Sequence, residues 1–317
     1  MSLQIRRILF LTLAVLLVLT AGCGLKQPPS SAVTPEGQAE SPAQAGADTP
    51  GPAPTETTPP TPTPTPEPLA AQVNGAGITV AEYEAELRQL QEAHQALGKV
   101  VSPEDQRQQV LDNLIDLELL AQGAYESGYT VDDAALQAEV ERLEESLSGS
   151  GGLQGWMDRL GYSQSAFYAS LRRQMAAAYQ RDQIAAGVPT EAEQIRARQI
   201  LTTDEDIANR ALEIVKQPGI NFATYAYQYD AQAGGDLGWF PRGYLTQVEV
   251  EEAAFQLQPG EISPVIKSQI GYHILQVIAR EPSRALSPDA RRVLQHKALE
   301  DWITARRAAS QIEILLP

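Results

Sequence analysis

Apolar residues recur at helical spacing through the first half of the folded part of the chain. Val80, Tyr83, Leu87 and Leu90 lie three or four apart, the period of one helix face. Thr79 stands just before them with Glu82 three residues on, the order of a capping box. Asn74-Gly75, further upstream, reads as a tight turn. "SPED" at 102–105 opens a second helix with Pro103 in its first turn, where a missing N–H costs nothing. Leu111, Leu114, Ile115 and Leu119 give that helix a broad apolar face, and Gly128 lies just past its end. Thr130 and Asp133 repeat the capping pattern for a third helix through about Leu147, which "SGSGG" at 148–152 breaks. A short helix is expected around Trp156 and a longer one from about Ser165 to Ala185. The period is 3.6 throughout, with no strand-like alternation.

From about Arg196 the texture changes. "RARQILTT" alternates like a strand. A helix over 204–217 follows, then Pro218-Gly219, and "NFATYAYQY" reads as a short helix. "GGDLGWFPRG" at 234–243 crowds glycines around one acid and two aromatics. Another helix near Glu251 to Gln256 ends at Pro259-Gly260, and "EISPVIKSQIGYHILQVIA" supplies two strand-like runs about a turn. Strand, helices and returning strands make a small α+β domain of about 85 residues. Helical spacing returns after Ser287 through Leu294, Leu299, Trp302 and Ile303.

The N-terminus changes the picture of where this chain resides. Arg6 and Arg7 precede an apolar run from Ile8 to Gly22, and Thr20-Ala21-Gly22 places small residues before Cys23. This is the layout of an export signal, and it resembles a bacterial lipoprotein signal in which Cys23 is lipidated. An uncleaved membrane anchor over Ile8 to Leu25 is the alternative. Cys23 is the only cysteine, so no internal disulfide or cysteine metal cluster is available. Residues 23–69, ending in "TPPTPTPTPEP", carry almost nothing to bury and are expected to form a disordered tether. Either way the bulk of the chain is expected outside the cytoplasm, at the cell membrane.

The full chain has 24 Lys+Arg against 40 Asp+Glu. Removing residues 1–22 takes away two arginines and no acid. A balance this acidic argues against nucleic acid and against direct binding to anionic head groups. It suits a soluble body held beside a membrane.

"RARQIL", "NFATYAYQY", "GGDLGWFPRG" and "EEAAFQLQPGEISPVIKSQIGYHILQV" occur in that order over 196–281. Together they resemble a parvulin-type (PpiC-type) peptidyl-prolyl cis-trans isomerase domain. The helical segment before them and the Trp302 helix after them resemble the split chaperone domain of SurA- and PrsA-type extracytoplasmic folding factors. That resemblance implies a helical chaperone domain over 70–193, an inserted isomerase domain over 196–281, and a C-terminal segment, 286–317, packing back on the helices. It implies unfolded or proline-containing exported polypeptides as partners, and neither cofactor nor metal. A phosphate-cradling role for the glycines is disfavoured, because an acid and two aromatics follow them where a Lys or a helix N-terminus is needed.

By the same resemblance the proline pocket is lined by Leu245, Val250 and Phe255. Its polar floor is His273, Ser268, Asp230 and Gln199, with His273 in the "GYHI" position. Three departures accompany the match. Gln199 stands where the family has a histidine, Val250 replaces an aromatic after a one-residue insertion, and "YQYDAQAGGDLG" is several residues short. An active isomerase and a non-catalytic holdase with a degenerate parvulin domain therefore both remain open here. His94 is expected on an exposed helix face and His296 on the final helix, both without a role in the site.

Overall fold

The computed structural model describes residues 67–147 and 151–316. The signal segment, Cys23 and nearly all of the tether lie outside the described residues. Among the described residues no helix is long and apolar enough to cross a membrane.

Two small sheets organise the chain. β1 (Leu69–Val73) and β2 (Ala76–Thr79) form a hairpin. Asn74 and Gly75 turn it with φ of 52° and 86°, the doubly positive pair a two-residue hairpin loop requires. β7 (Ile312–Ile314) joins the other side of β1, giving the order β2-β1-β7. The backbone N–H of Asn74 donates to the Gln311 carbonyl at 2.8 Å, and the Gln311 N–H returns a bond to Asn74 Oδ1 at 2.8 Å. The two ends of the folded chain are thus sewn together.

Against this sheet packs a helical body of α1 (Val80–Leu97), α2 (Pro103–Glu126), α3 (Asp133–Leu147), α4 (Gly152–Leu160), α5 (Gln164–Ala186) and the late helix α9 (Pro288–Ala308). Ile78, Leu114, Ile115 and Leu119 are the heart of one core cluster. Trp302 of α9 reaches both that cluster and a second one formed with Leu120, Ala124 and Ala177. Arg307 near the end of α9 hydrogen-bonds Asp112 at 3.0 Å and pairs with Asp116, both on α2.

The second sheet, β4-β3-β6-β5, belongs to the inserted segment. β3 (Glu191–Thr202) and β6 (Gly271–Ala285) are its long antiparallel centre, flanked by β4 (Asp236–Pro241) and β5 (Ile266–Ser268). One face carries α6 (Glu205–Val215) and α7 (Phe222–Ala226), which pack with Ile200 and Ile274. The other carries α8 (Val248–Gln256), which packs with Ile195, Ala197, Leu275 and Val277. Period-2 alternation along β3 and β6 divides the two cores. The pairing runs out to Glu191↔Ala285, so both connections to the helical body leave as one paired ribbon.

Four details differ from the sequence expectation. β1 and β2 are strands where only helical periodicity was anticipated. Thr79 caps α1 by accepting from the Glu82 N–H at 3.2 Å, but the Glu82 carboxylate does not fold back to complete a capping box. It is buried and bonds Arg173 at 3.0–3.1 Å. Asp132, rather than Thr130, caps α3, accepting from the Ala135 N–H at 2.7 Å. His94 is buried, not exposed, because the last turn of α1 points that side inward.

Candidate active site

His273 sits on β6 opposite Leu201, and Gln199 lies two residues back on β3, opposite Leu275. Both side chains share the α8 face of the sheet, and diagonal neighbours of this kind are close enough for long side chains to meet. His273 Nδ1 lies 2.8 Å from Gln199 Oε1. Because that oxygen only accepts, Nδ1 carries the proton and donates. Nε2 is then free to accept, and the Ser268 hydroxyl lies 2.7 Å away. Ser268 Oγ in turn accepts from the Ile270 N–H at 3.2 Å. The result is a directed chain, Ser268 to His273 to Gln199, spanning β5, β6 and β3.

The turn joining β5 to β6 makes that approach possible. Ser268 pairs with Gly271 across it. A Cβ at Gly271 would stand 2.5 Å from the Thr202 carbonyl oxygen, so the close fit of this turn against β3 admits no side chain. His273 is 1% exposed. Burial lowers its pKa below the usual histidine value, with the Glu249 carboxylate acting weakly in the opposite direction. At neutral pH the ring is uncharged.

Asp230 does something else. Its Oδ1 accepts from the backbone N–H groups of Gln232 and Ala233, and its Oδ2 from that of Gly235, all at 3.1 Å. Bonds from Ala233, Gly235 and Gln232 hold this carboxyl below the usual range. Gly235, at φ 71°, passes its carbonyl to the Gln199 N–H at 2.8 Å. A Cβ there would overlap the Gln199 carbonyl. Asp230 therefore shapes the glycine turn that abuts Gln199. The structure brings His273, Ser268 and Gln199 together by side chain, and Asp230 adjoins them only through backbone.

The apolar candidates lie nearby. Val250 and Phe255 are buried in the α8-side core, Phe255 edge-on to Phe240 at 6.0 Å and covered by Arg242 at 4.1 Å. Leu245 is only half-buried at the margin of the same cluster, as is Leu237 of β4. Leu237 was missed in the sequence. Its place inside the "GDLG" glycines hid that it packs on the same core cluster as Leu245. No group of three or more His, Cys, Asp or Glu is placed to hold a metal among the described residues. Two clefts, of about 320 and 440 Å³, lie along α9, away from this face.

A buried, uncharged Gln–His–Ser chain beside half-exposed leucines, on a four-stranded sheet with α8 on its face, defines a parvulin-type isomerase domain. Residues 196–279 match the family model described as PPIC-type PPIASE domain, and residues 64–160 match the SurA-like N-terminal domain. Foldase protein PrsA of Caldanaerobacter subterraneus is 30% identical over 234 residues, which span 66% of this chain and 72% of that protein. The chain belongs to this PrsA foldase family. Foldase protein PrsA of Bacillus subtilis is 32% identical over 121 residues, covering 37% of this chain and 40% of that relative. The crystal structure of PrsA from Bacillus cereus aligns over 73% of this chain and 84% of its own at 20% identity, with a TM-score of 0.43.

Proposed function

We propose that this chain is a lipid-anchored, extracytoplasmic foldase that isomerises prolyl bonds in unfolded exported polypeptides. In this scheme Cys23 carries the anchor, residues 23–69 the tether, and the helical body grips extended client segments.

The observation that carries the catalytic part is the Ser268–His273–Gln199 chain. Amide resonance sets a barrier of about 18–20 kcal/mol, and the uncatalysed reaction takes on the order of tens of seconds. No nucleophile is needed. Twisting the amide removes its resonance, so the transition state is less dipolar than either planar form. A wall of Leu245, backed by the buried Val250 and Phe255, with an uncharged polar floor stabilises that state more than the ground state, which is the condition for catalysis. Gln199 keeps the bond to Nδ1 that a second imidazole would otherwise make, and so fixes the His273 tautomer. Asp230 contributes by fixing the turn against Gln199.

Gln199 also favours a second reading, a holdase whose parvulin domain only binds. A glutamine cannot titrate near neutral pH, and the pocket at Val250 lacks a ring. Protease-coupled turnover of a prolyl tetrapeptide, measured beside suppression of client aggregation, separates the two. Under the foldase reading His273→Ala lowers kcat/KM about tenfold, worth about 1.4 kcal/mol, while aggregation suppression is unchanged. A wild-type rate indistinguishable from the uncatalysed one, with aggregation still suppressed, selects the holdase. Cys23→Ala is expected to abolish labelling by a palmitate analogue, and label retained in that variant rejects the anchor.

A further inference from the structure

The stretch between β4 and α8, residues 242–247, has no regular structure of its own, yet it carries Leu245. α8 bears three acids, Glu249, Glu251 and Glu252, and only Glu251 turns back onto this loop. Its Oε1 accepts from the Gly243 N–H at 2.6 Å, and its Oε2 from the N–H groups of Tyr244 and Leu245 at 2.9 Å each. Glu251 is partly buried and forms no ion pair among the described residues. Three consecutive amides are therefore its whole set of partners. Charge-assisted bonds of this kind are stronger than neutral ones and fix direction as well as distance.

We propose that Glu251 is a positioning residue for the isomerisation, holding the 242–246 loop in the one shape that presents Leu245 to the prolyl ring. This rests on the foldase reading above and adds a residue to it. The loop is held at two other points. Arg242 lies over the Phe255 ring, and Gly243 sits against α9, where a Cβ would stand 3.2 Å from both Leu294 and Lys297. Neither of those contacts touches the amides of Tyr244 or Leu245. Among the described residues Glu251 is the one hydrogen-bond partner of the Tyr244 and Leu245 amides, so it alone fixes the direction of the peptide that carries the pocket wall. An error of 1 Å in a positioning group is enough to slow catalysis.

Glutamine at 251 would keep the size but only one accepting oxygen. It can serve Gly243 or the Tyr244–Leu245 pair, and its NH₂ would confront the other. The experiment compares wild type, Glu251→Gln, Leu245→Ala and the double variant in the full chain, well below the melting temperature. It reads kcat/KM on a prolyl tetrapeptide together with hydrogen exchange of the Gly243, Tyr244 and Leu245 amides. Glu251→Gln is expected to lower kcat/KM about tenfold and to expose those amides to exchange. In the Leu245→Ala background the same change is expected to cost less than about twofold, because two residues acting through one wall do not add. A merely structural Glu251 predicts a full rate at this temperature, or losses that multiply in the double variant, and either result overturns the proposal. If Glu251→Gln melts below the assay temperature, Glu251→Asp, which keeps the charge on a shorter stem, takes its place in the same cycle. A wild type with no activity overturns the foldase reading as well. An active wild type indifferent to residue 251 overturns this proposal alone.

Discussion

The helical body and the isomerase domain both bury polar side chains at their centres, but of opposite character. In the body, Arg173 of α5 bonds Glu82 of α1 at 3.0–3.1 Å and pairs with Glu118 of α2 at 3.0 Å. Glu86, one turn along α1, approaches the Tyr162 hydroxyl at 3.4 Å. Two carboxylates thus share one guanidinium, with a third, Glu86, beside them. In the isomerase domain the centre is Ser268, His273 and Gln199, uncharged at neutral pH. Buried charges stabilise only when every partner is present, so the first arrangement clamps three helices and tolerates little motion. A neutral chain suits a reaction in which no proton leaves and no charge is created.

The largest expected effect comes from breaking the clamp. Arg173→Met leaves Glu82 and Glu118 buried without a cation, and removing one partner of a buried pair typically costs about 3–5 kcal/mol. Thermal unfolding followed by circular dichroism should show the body melting far earlier. Converting Glu82 and Glu118 to Gln in the Arg173→Met background should recover most of the loss. A drop below about 1 kcal/mol for Arg173→Met alone would mean that water, not Arg173, solvates the carboxylates.

Glu86 sharpens the same contrast through pH. Burial, and then the Glu82 charge, push its carboxyl up to about 7, against a small opposing effect of the Tyr162 bond. A folded-state pKa above the unfolded one means the folded chain holds the proton more tightly. The stability this supplies is fully present below about pH 4.5 and is lost as pH rises through 7. The whole swing is on the order of 3 kcal/mol. Glu86→Gln should therefore flatten the melting temperature between pH 5 and 8, and at pH 8 it should be the more stable protein. Equal pH slopes for the two proteins would place the Glu86 charge in water.

These two centres were not equally legible in the sequence. The neutral one was legible through the parvulin resemblance, because Gln199, Ser268 and His273 fall inside the motifs that carry it, and the pairing of β3, β5 and β6 then brings them together. The charged one was not. Glu82 carries a local signal, the capping-box spacing, that competes with a partner 91 residues away on α5. Local pattern cannot weigh a non-local ion pair. The β2-β1-β7 sheet was hidden for the same reason, since its third strand arrives more than 230 residues after the hairpin and its buried positions include Ala70 and Ala71. His94 was misjudged because the side of α1 on which it closes depends on the tertiary path. Asp230 was placed near the site by motif order, but its three amide bonds could be seen only once the loop had a shape.

Val250 tests how far the isomerase core differs from a pocket with an aromatic wall. It is 2% exposed and packed among Ile195, Leu275 and Phe255. Val250→Phe adds volume to a filled core, which costs about 1–3 kcal/mol where the neighbours cannot yield. The expected outcome is a lower melting temperature for the isomerase domain. Turnover should rise if the ring reaches the surface beside Leu245. Unchanged stability would show that the α8 side has room to spare.

The smallest effect expected is in the pH–rate profile, and it bears on the neutral centre directly. Burial lowers the His273 pKa, so the folded state disfavours its proton. The ring stays neutral from alkaline pH down through 6.5, and only further acidification charges it. Rate and the His273 contribution to stability should then both fall together as pH drops through the lowered value, not as it rises. Since Gln199 does not titrate, kcat/KM on a prolyl peptide should vary less than about twofold between pH 7 and 9. Gln199→His places a second imidazole where the Gln199 oxygen now lies, 2.8 Å from His273 Nδ1. Two rings in that geometry must share one proton between them, and a titration enters the neutral range that the wild type lacks. A flat profile in Gln199→His, or a steep one in the wild type, would mean that the bond to Gln199 is not what sets the state of His273.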